Sequence, residues 1–246
     1  MASRVPLALL LLSLVACGGQ HPGSTSSTST AEPAGPALSQ YCLTPQDHPQ
    51  PVRFAGMNGE IVGSGSTGVV IANESGNDVC PWQPLVRRLL ASGRYRLLLY
   101  FFTSGDDIDA AAAAALHQHG AGQVALVGAS VGGAAVIVAG SSLQPPPLAV
   151  VSLSGEQRVH GMNALAAAPR LRVPTLILAA EEDPLLNGEQ AKELVAAAGA
   201  PDKKLVLYPG TQHGTDYLSG DLASRSLAEI SGFLDAHATT LDAHAA

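Results

Sequence analysis

Three short stretches of this chain hold residues that could do chemistry together. One is GASVGG at 128–133, with Ser130 between glycines. The second is Glu181-Glu182-Asp183-Pro184, and the third is PGTQHG at 209–214, which carries His213. A serine hydroxyl is a poor nucleophile at neutral pH. It needs a base within hydrogen-bond reach, and the base needs an acceptor that fixes its tautomer. A serine, a carboxylate and a histidine in this chain order form a set that attacks a carbonyl carbon.

The elements that must position these residues are legible around them. QVALVGASVGG at 123–133 reads as a strand over 124–127, a very tight turn and a helix running to about Ser142. Such a turn brings backbone segments together, and a Cβ at Gly128 or Gly132 would collide with its neighbours. A lone G-x-S-x-G match is weak evidence, so its partners matter. In open α/β sheets functional groups gather at the carboxyl ends of strands. Asp183 follows a predicted strand over 174–180, and His213 follows one over 204–208. Glu181 and Glu182 are neighbours that could reach inward instead, and a carboxylate after a strand is often a helix cap. His160 follows a different strand. His117 and His119 end a helix on different faces and read as solvated residues.

The remaining strands are expected over 52–55, 60–62, 68–72, 95–101 and 148–153, with helices over 81–92, 106–119, 188–198 and 217–237. The first two strands form a hairpin. GSGSTG at 63–68 lacks the lysine of a phosphate loop and reads as a connection. Residues 156–172 form an irregular or partly helical excursion. Strands that are continuous apolar runs and alternate with helices point to a mostly parallel sheet covered on both faces.

With GASVGG around Ser130, LILAAEEDP around Asp183 and PGTQHG around His213, the domain over 52–238 resembles the α/β-hydrolase superfamily. It is most similar to compact, nearly lidless, dienelactone-hydrolase-like members. The resemblance implies an α/β-hydrolase fold with a minimal cap. It also implies Ser130 as nucleophile, His213 as general base and then acid, and Asp183 as the residue that orients it. The implied oxyanion hole uses the N–H of Val131 and one from the loop after strand 68–72, from Ser75 or Glu74. Many members of the superfamily carry His-Gly in that loop, where this chain has Asn73-Glu74. Trp82 and Tyr217 are candidates for the approach to the site, with ordinary packing the stronger expectation. The 156–172 excursion is too short for a full lid, which suits a small or extended, lipid-like ester. The expected activity is that of a membrane-tethered serine hydrolase acting through an acyl-enzyme. A ligand-binding surface protein on the same fold, or an acyltransferase with the same three residues, are the alternatives.

The rest of the chain sets the context. Of 246 residues, 13% are charged and the net charge is −7, which argues against a nucleic-acid partner. Arg4 and the apolar run 5–16 read as an export leader, too short to span a bilayer. It ends in Leu14-Val15-Ala16-Cys17, which looks like a bacterial lipobox whose Cys17 becomes diacylated, anchoring the chain to a membrane. Residues 18–40 are rich in Gly, Ser, Thr and Pro and read as a flexible tether, His21 included, ahead of a domain over 41–246. Export favours a disulfide between Cys42 and Cys80. No metal site or cofactor is expected, and a monomer is.

Overall fold

The computed structural model describes residues 42–76, 79–100 and 106–238. The leader, Cys17 and the tether lie outside the described residues.

Residues Val69, Val70, Ile71 and Ala72 are all buried. They belong to strand β3 (Thr67–Ala72). Because strand side chains alternate in direction, Val69 and Ile71 enter one core and Val70 and Ala72 the other. A strand sealed on both sides has to be apolar throughout, which is why its sequence is continuous rather than alternating. The same holds for β4 (Tyr95–Tyr100), β5 (Gln123–Ala129), β6 (Val150–Leu153) and β9 (Thr175–Ala180). With β1 (Gln50–Phe54), β2 (Met57–Val62) and β10 (Lys203–Tyr208) they make one eight-stranded sheet, in the order β1-β2-β4-β3-β5-β6-β9-β10. β1 pairs antiparallel with β2, and β2 with β4; the other neighbours are parallel.

Helices cover both faces. On one side α1 (Gln83–Leu90) and α6 (Ala223–Ala238) seal a core that includes Trp82, Leu85, Tyr208 and Ile230. On the other, α2 (Asp106–Gln118), α3 (Val131–Gly140) and α5 (Gly188–Ala197) contribute Leu116, Val136 and Leu194. Burying a side chain of that size stabilises the fold by about 1.5–3 kcal/mol. Almost all of α3 is buried, and its small residues let it lie close against the sheet.

Two expected elements differ. The closing helix begins at Ala223, not Tyr217, because Gly220 takes φ +59° and the chain makes two 3-10 turns first, Gly214–Leu218 and Gly220–Leu222. The 156–172 excursion has its own structure. It contains a hairpin, β7 (Arg158–Val159) and β8 (Met162–Asn163), turned by Gly161, then α4 (Ala164–Ala167). Met162 packs against Val131 and Ala135, which fastens the hairpin to the start of α3.

The parallel register brings the strand ends to one edge. Ala72 lies opposite Gly128, Ala129 opposite Leu153, and Ala180 opposite Tyr208. The loops that follow these ends carry Glu74, Ser130, Glu156, Asp183 and His213.

Candidate active site

Ser130 sits at the turn from β5 into α3 with φ +51° and ψ −122°, a strained backbone for a residue with a side chain. Two hydrogen bonds hold it there. Its N–H donates to Leu153 O at 2.8 Å, and its carbonyl accepts from Ala134 N at 3.0 Å. The glycines do what the sequence asks of them. A Cβ on Gly128 would stand 2.3 Å from Gly132 O, and one on Gly132 would stand 2.2 Å from Ala72 O. Gly133 is equally constrained, at 2.8 Å from the Cα of Gly155.

The three acidic residues after β9 part ways. Glu181 and Glu182 are exposed, while Asp183 is 1% exposed. Its carboxylate receives His213 Nδ1 at 2.8 and 3.0 Å. It also accepts the N–H groups of Leu185 and Leu186 at 2.9 and 3.2 Å. Burial alone would raise its pKa. The hydrogen bonds from His213, Ser154 and Leu185, together with the imidazole's charge, hold it below the usual carboxylate range. His213 shows the converse. Burial disfavours its charged form, but Asp183, Glu74 and Glu156 together raise its pKa. With Nδ1 committed to Asp183, Nε2 is the nitrogen left to take a proton. That atom is shut off from solvent and has no hydrogen-bond partner among the described residues.

Ser154, which the sequence did not single out, supports this pair. It follows β6 with φ +49°, and its hydroxyl lies 2.9 Å from the Tyr217 hydroxyl while also bonding Asp183. Tyr217 in turn donates to Gln212 O at 2.9 Å. Tyr217 and Trp82 are both fully buried, so neither lines an approach. Trp82 Nε1 donates to Asn73 Oδ1 at 2.9 Å and so ties down the loop after β3.

In that loop Ser75 is exposed and Glu74 is buried. The Glu74 carboxylate turns toward the histidine loop, where it accepts from the Thr215 N–H at 2.9 Å and from the Thr215 hydroxyl. A Cβ on Gly214 would meet Glu74 Oε2 at 1.9 Å, which accounts for a glycine with φ +55° directly after His213. The Glu74 side chain therefore serves the loop after His213. Both cysteines of the domain are half-buried. Cys42 packs against the core that contains Val79 and Trp82, the near neighbours of Cys80. His160 is exposed on the β7–β8 hairpin, His117 Nδ1 donates to Ala121 O at 2.8 Å, and His119 is exposed.

The hydroxyl of Ser130 donates to Glu156 Oε1, at 3.5 Å. Glu156 is half-buried and responds electrostatically to His213 and Asp183, so all four groups share one neighbourhood. The sequence offered a signal for Glu156 that went unused: it follows β6 at the same sheet edge as the other loops.

Comparison with known proteins bears on the architecture. A model of the serine aminopeptidase S33 family matches residues 155–216, a span that includes Glu156, Asp183 and His213 but not Ser130. No curated protein matches the chain. An esterase of Pyrococcus furiosus has a similar structure, with a TM-score of 0.65 at 14% identity over 79% of this chain and 93% of its own. A monoacylglycerol lipase of Paleococcus ferrophilus gives 0.64 at 13% identity, over 76% and 100%. The dienelactone hydrolase of Anabaena variabilis gives 0.60 at 18% identity, over 77% and 98%. Sheet order, elbow and these likenesses agree that the chain has the α/β-hydrolase fold.

Proposed function

We propose that the protein is a serine hydrolase that cleaves a carboxylic ester, with Ser130 as nucleophile, His213 as base and acid, and Asp183 as its orienter. The observation that carries this reading is the Asp183–His213 pair, bonded through Nδ1 with Nε2 left unpartnered, at the sheet edge that also carries the strained Ser130 turn. Ester-cleaving enzymes among the structural likenesses support it.

Ser130 Oγ attacks the ester carbonyl as His213 Nε2 takes its proton. The N–H of Val131 and one from Glu74 or Ser75 receive the oxyanion. The tetrahedral adduct collapses as His213 returns the proton to the departing alcohol, leaving an acyl-Ser130. Water, deprotonated by His213, then releases the acid and restores Ser130. Asp183 holds the imidazole in the right tautomer and stabilises its charged form.

Ser130→Ala should reduce turnover of a short-chain chromogenic ester by about 10,000-fold or more. Equal rates in variant and wild type would sink the assignment. A second reading, a ligand-binding protein without turnover, draws on the Ser130 hydroxyl being turned to Glu156 and not to His213. A fluorophosphonate that labels Ser130 stoichiometrically excludes it.

The same proposal includes export and anchoring through Cys17, from the lipobox and the tether behind it. It also includes a Cys42–Cys80 disulfide, which export into an oxidising compartment favours. The intact mass of the membrane-extracted protein reads both, as a diacylglyceryl increment and as the loss of two hydrogens. A cytosolic, unmodified mass would refute both.

A further inference from the structure

The mechanism leaves two features of the site unused. Ser130 donates to Glu156 rather than to His213. His213 Nε2, the atom that should receive that proton, has no partner among the described residues.

Glu156 is not there by accident of a mobile loop, for the chain on both sides of it is pinned. Ser152 Oγ donates to Gly133 O at 3.0 Å, which ties the end of β6 to the first turn of α3. Ser154 takes a positive φ of 49° between its Tyr217 and Asp183 contacts. A Cβ on Gly155 would come within 2.2 Å of Ser152 Oγ and 2.5 Å of the Gly133 carbonyl carbon, so only glycine fits. After Glu156, Gln157 Nε2 donates to Gln190 O at 3.0 Å and to Glu193 Oε2 at 2.9 Å, fastening the chain to α5. The Glu156 carboxylate is delivered to the elbow by packing that leaves little slack.

We propose that Glu156 is a positioning residue that holds the Ser130 hydroxyl away from His213 at rest, so that substrate must displace it, and that esters with a cationic group beside the scissile carbonyl do this better than anionic ones. The inference rests on the hydrolase reading and deepens it. An ammonium group can satisfy the Glu156 carboxylate while Ser130 turns to His213. An anionic group meets the Glu156 carboxylate, with Asp183 and Glu74 also acting on His213 beside it, and His213 and His160 are the groups that draw on Glu156 in the opposite sense. Burial raises the pKa of Glu156, the attraction of His213 and His160 and the Ser130 hydrogen bond work against that rise, and Asp183 adds to it.

The test uses the full-length protein with Glu156→Gln, which removes the charge, and Glu156→Ala, which removes the acceptor. The first measurement needs no turnover: the ring resonances of His213 by NMR, with and without Ser130→Ala. In the wild type, Ser130→Ala should leave the His213 resonances nearly in place, because the hydroxyl does not touch the ring. In the Glu156→Ala background it should move them, because Ser130 then bonds Nε2. Equal shifts in the two backgrounds would overturn the holding role. The second measurement is kcat/KM for matched nitrophenyl esters bearing a trimethylammonium or a carboxylate group. The cation-to-anion ratio should exceed one and fall about tenfold in Glu156→Gln, as expected for losing one charge at close range. An unchanged ratio refutes the selectivity. The acid limb of kcat/KM, set by His213, should also move to lower pH in Glu156→Gln, because a carboxylate that favours the imidazolium is gone. If no ester is turned over at all, the hydrolase reading fails, and the NMR comparison still decides whether Glu156 holds Ser130.

Discussion

Two aspartates of this protein have almost no exposed surface and end in opposite states. Asp183, after β9, is 1% exposed, and Asp109, on α2, is 0% exposed. Asp183 is ringed by donors: the His213 imidazole, the Ser154 hydroxyl and the N–H groups of Leu185 and Leu186. Among the described residues Asp109 has one donor, the Tyr100 hydroxyl on Oδ1, and its Oδ2 has no partner. Two further carboxylates, Asp106 and Asp107, stand in the same helical turn. Burial, opposed by the Tyr100 bond and reinforced by Asp106 and Asp107, pushes the Asp109 carboxyl up to about 7. The difference teaches that a lack of exposed surface does not by itself decide whether a carboxylate is charged; the donors and charges around it, set against the depth of its burial, do. The role proposed for Asp183, orienting His213, needs that charge. Asp109 bonds the hydroxyl of Tyr100, whose ring packs edge-to-face on Phe54.

Removing the charge from each aspartate breaks that comparison. Asp183→Asn should have the largest effect, a loss of about 1,000- to 10,000-fold in kcat for an ester, since the amide no longer fixes the tautomer of His213. Retention of more than a tenth of the activity would mean another group orients the imidazole. At Asp109 the consequence is for stability. Its folded-state pKa, about 7, lies above the ordinary 3.8. The folded state therefore holds a proton that the unfolded chain has released. The stability this contributes is complete below about 3.8 and is lost as pH rises through about 7. About 4 kcal/mol is at stake across that window. Asp109→Asn should flatten that part of the stability–pH curve, read by urea unfolding at intervals from pH 4 to 8. Parallel curves for variant and wild type would show that Asp109 ionises normally. Ser154→Ala gives the smallest effect. Loss of one buried donor should cost about 1 kcal/mol, or roughly 2–4 °C in melting temperature, with kcat lowered several-fold. A melt unchanged within error would place the support of Asp183 elsewhere.

Much of this molecule was legible in its residues. The apolar runs at β3, β5, β6 and β9 are strands buried on both faces, and α2 occupies nearly its expected span. Such elements are dictated by local pattern, where period and burial agree. Two details near the chemistry were not. Gly220 looks like any helical glycine until its positive φ shows where the last helix cannot begin. The 156–172 segment has too little periodicity to reveal a hairpin, whose form depends on Met162 finding Val131 and Ala135.

The sequence by itself determined the Ser130 turn and the order serine, acid, histidine, because glycines at a tight turn and apolar strands before each loop are local requirements. It left open which of Glu181, Glu182 and Asp183 faces inward and where the side chain of Glu74 points. Tertiary structure decided both. Asp183 turns in to His213, thirty residues along the chain, and Glu74 turns to Thr215, 141 residues away. It also decided that the resting Ser130 hydroxyl lies on Glu156. The physical reason is common to all three. A hydrogen bond is specified by the position and direction of two groups, and when these lie on different loops only the packing of the sheet and helices beneath them fixes both.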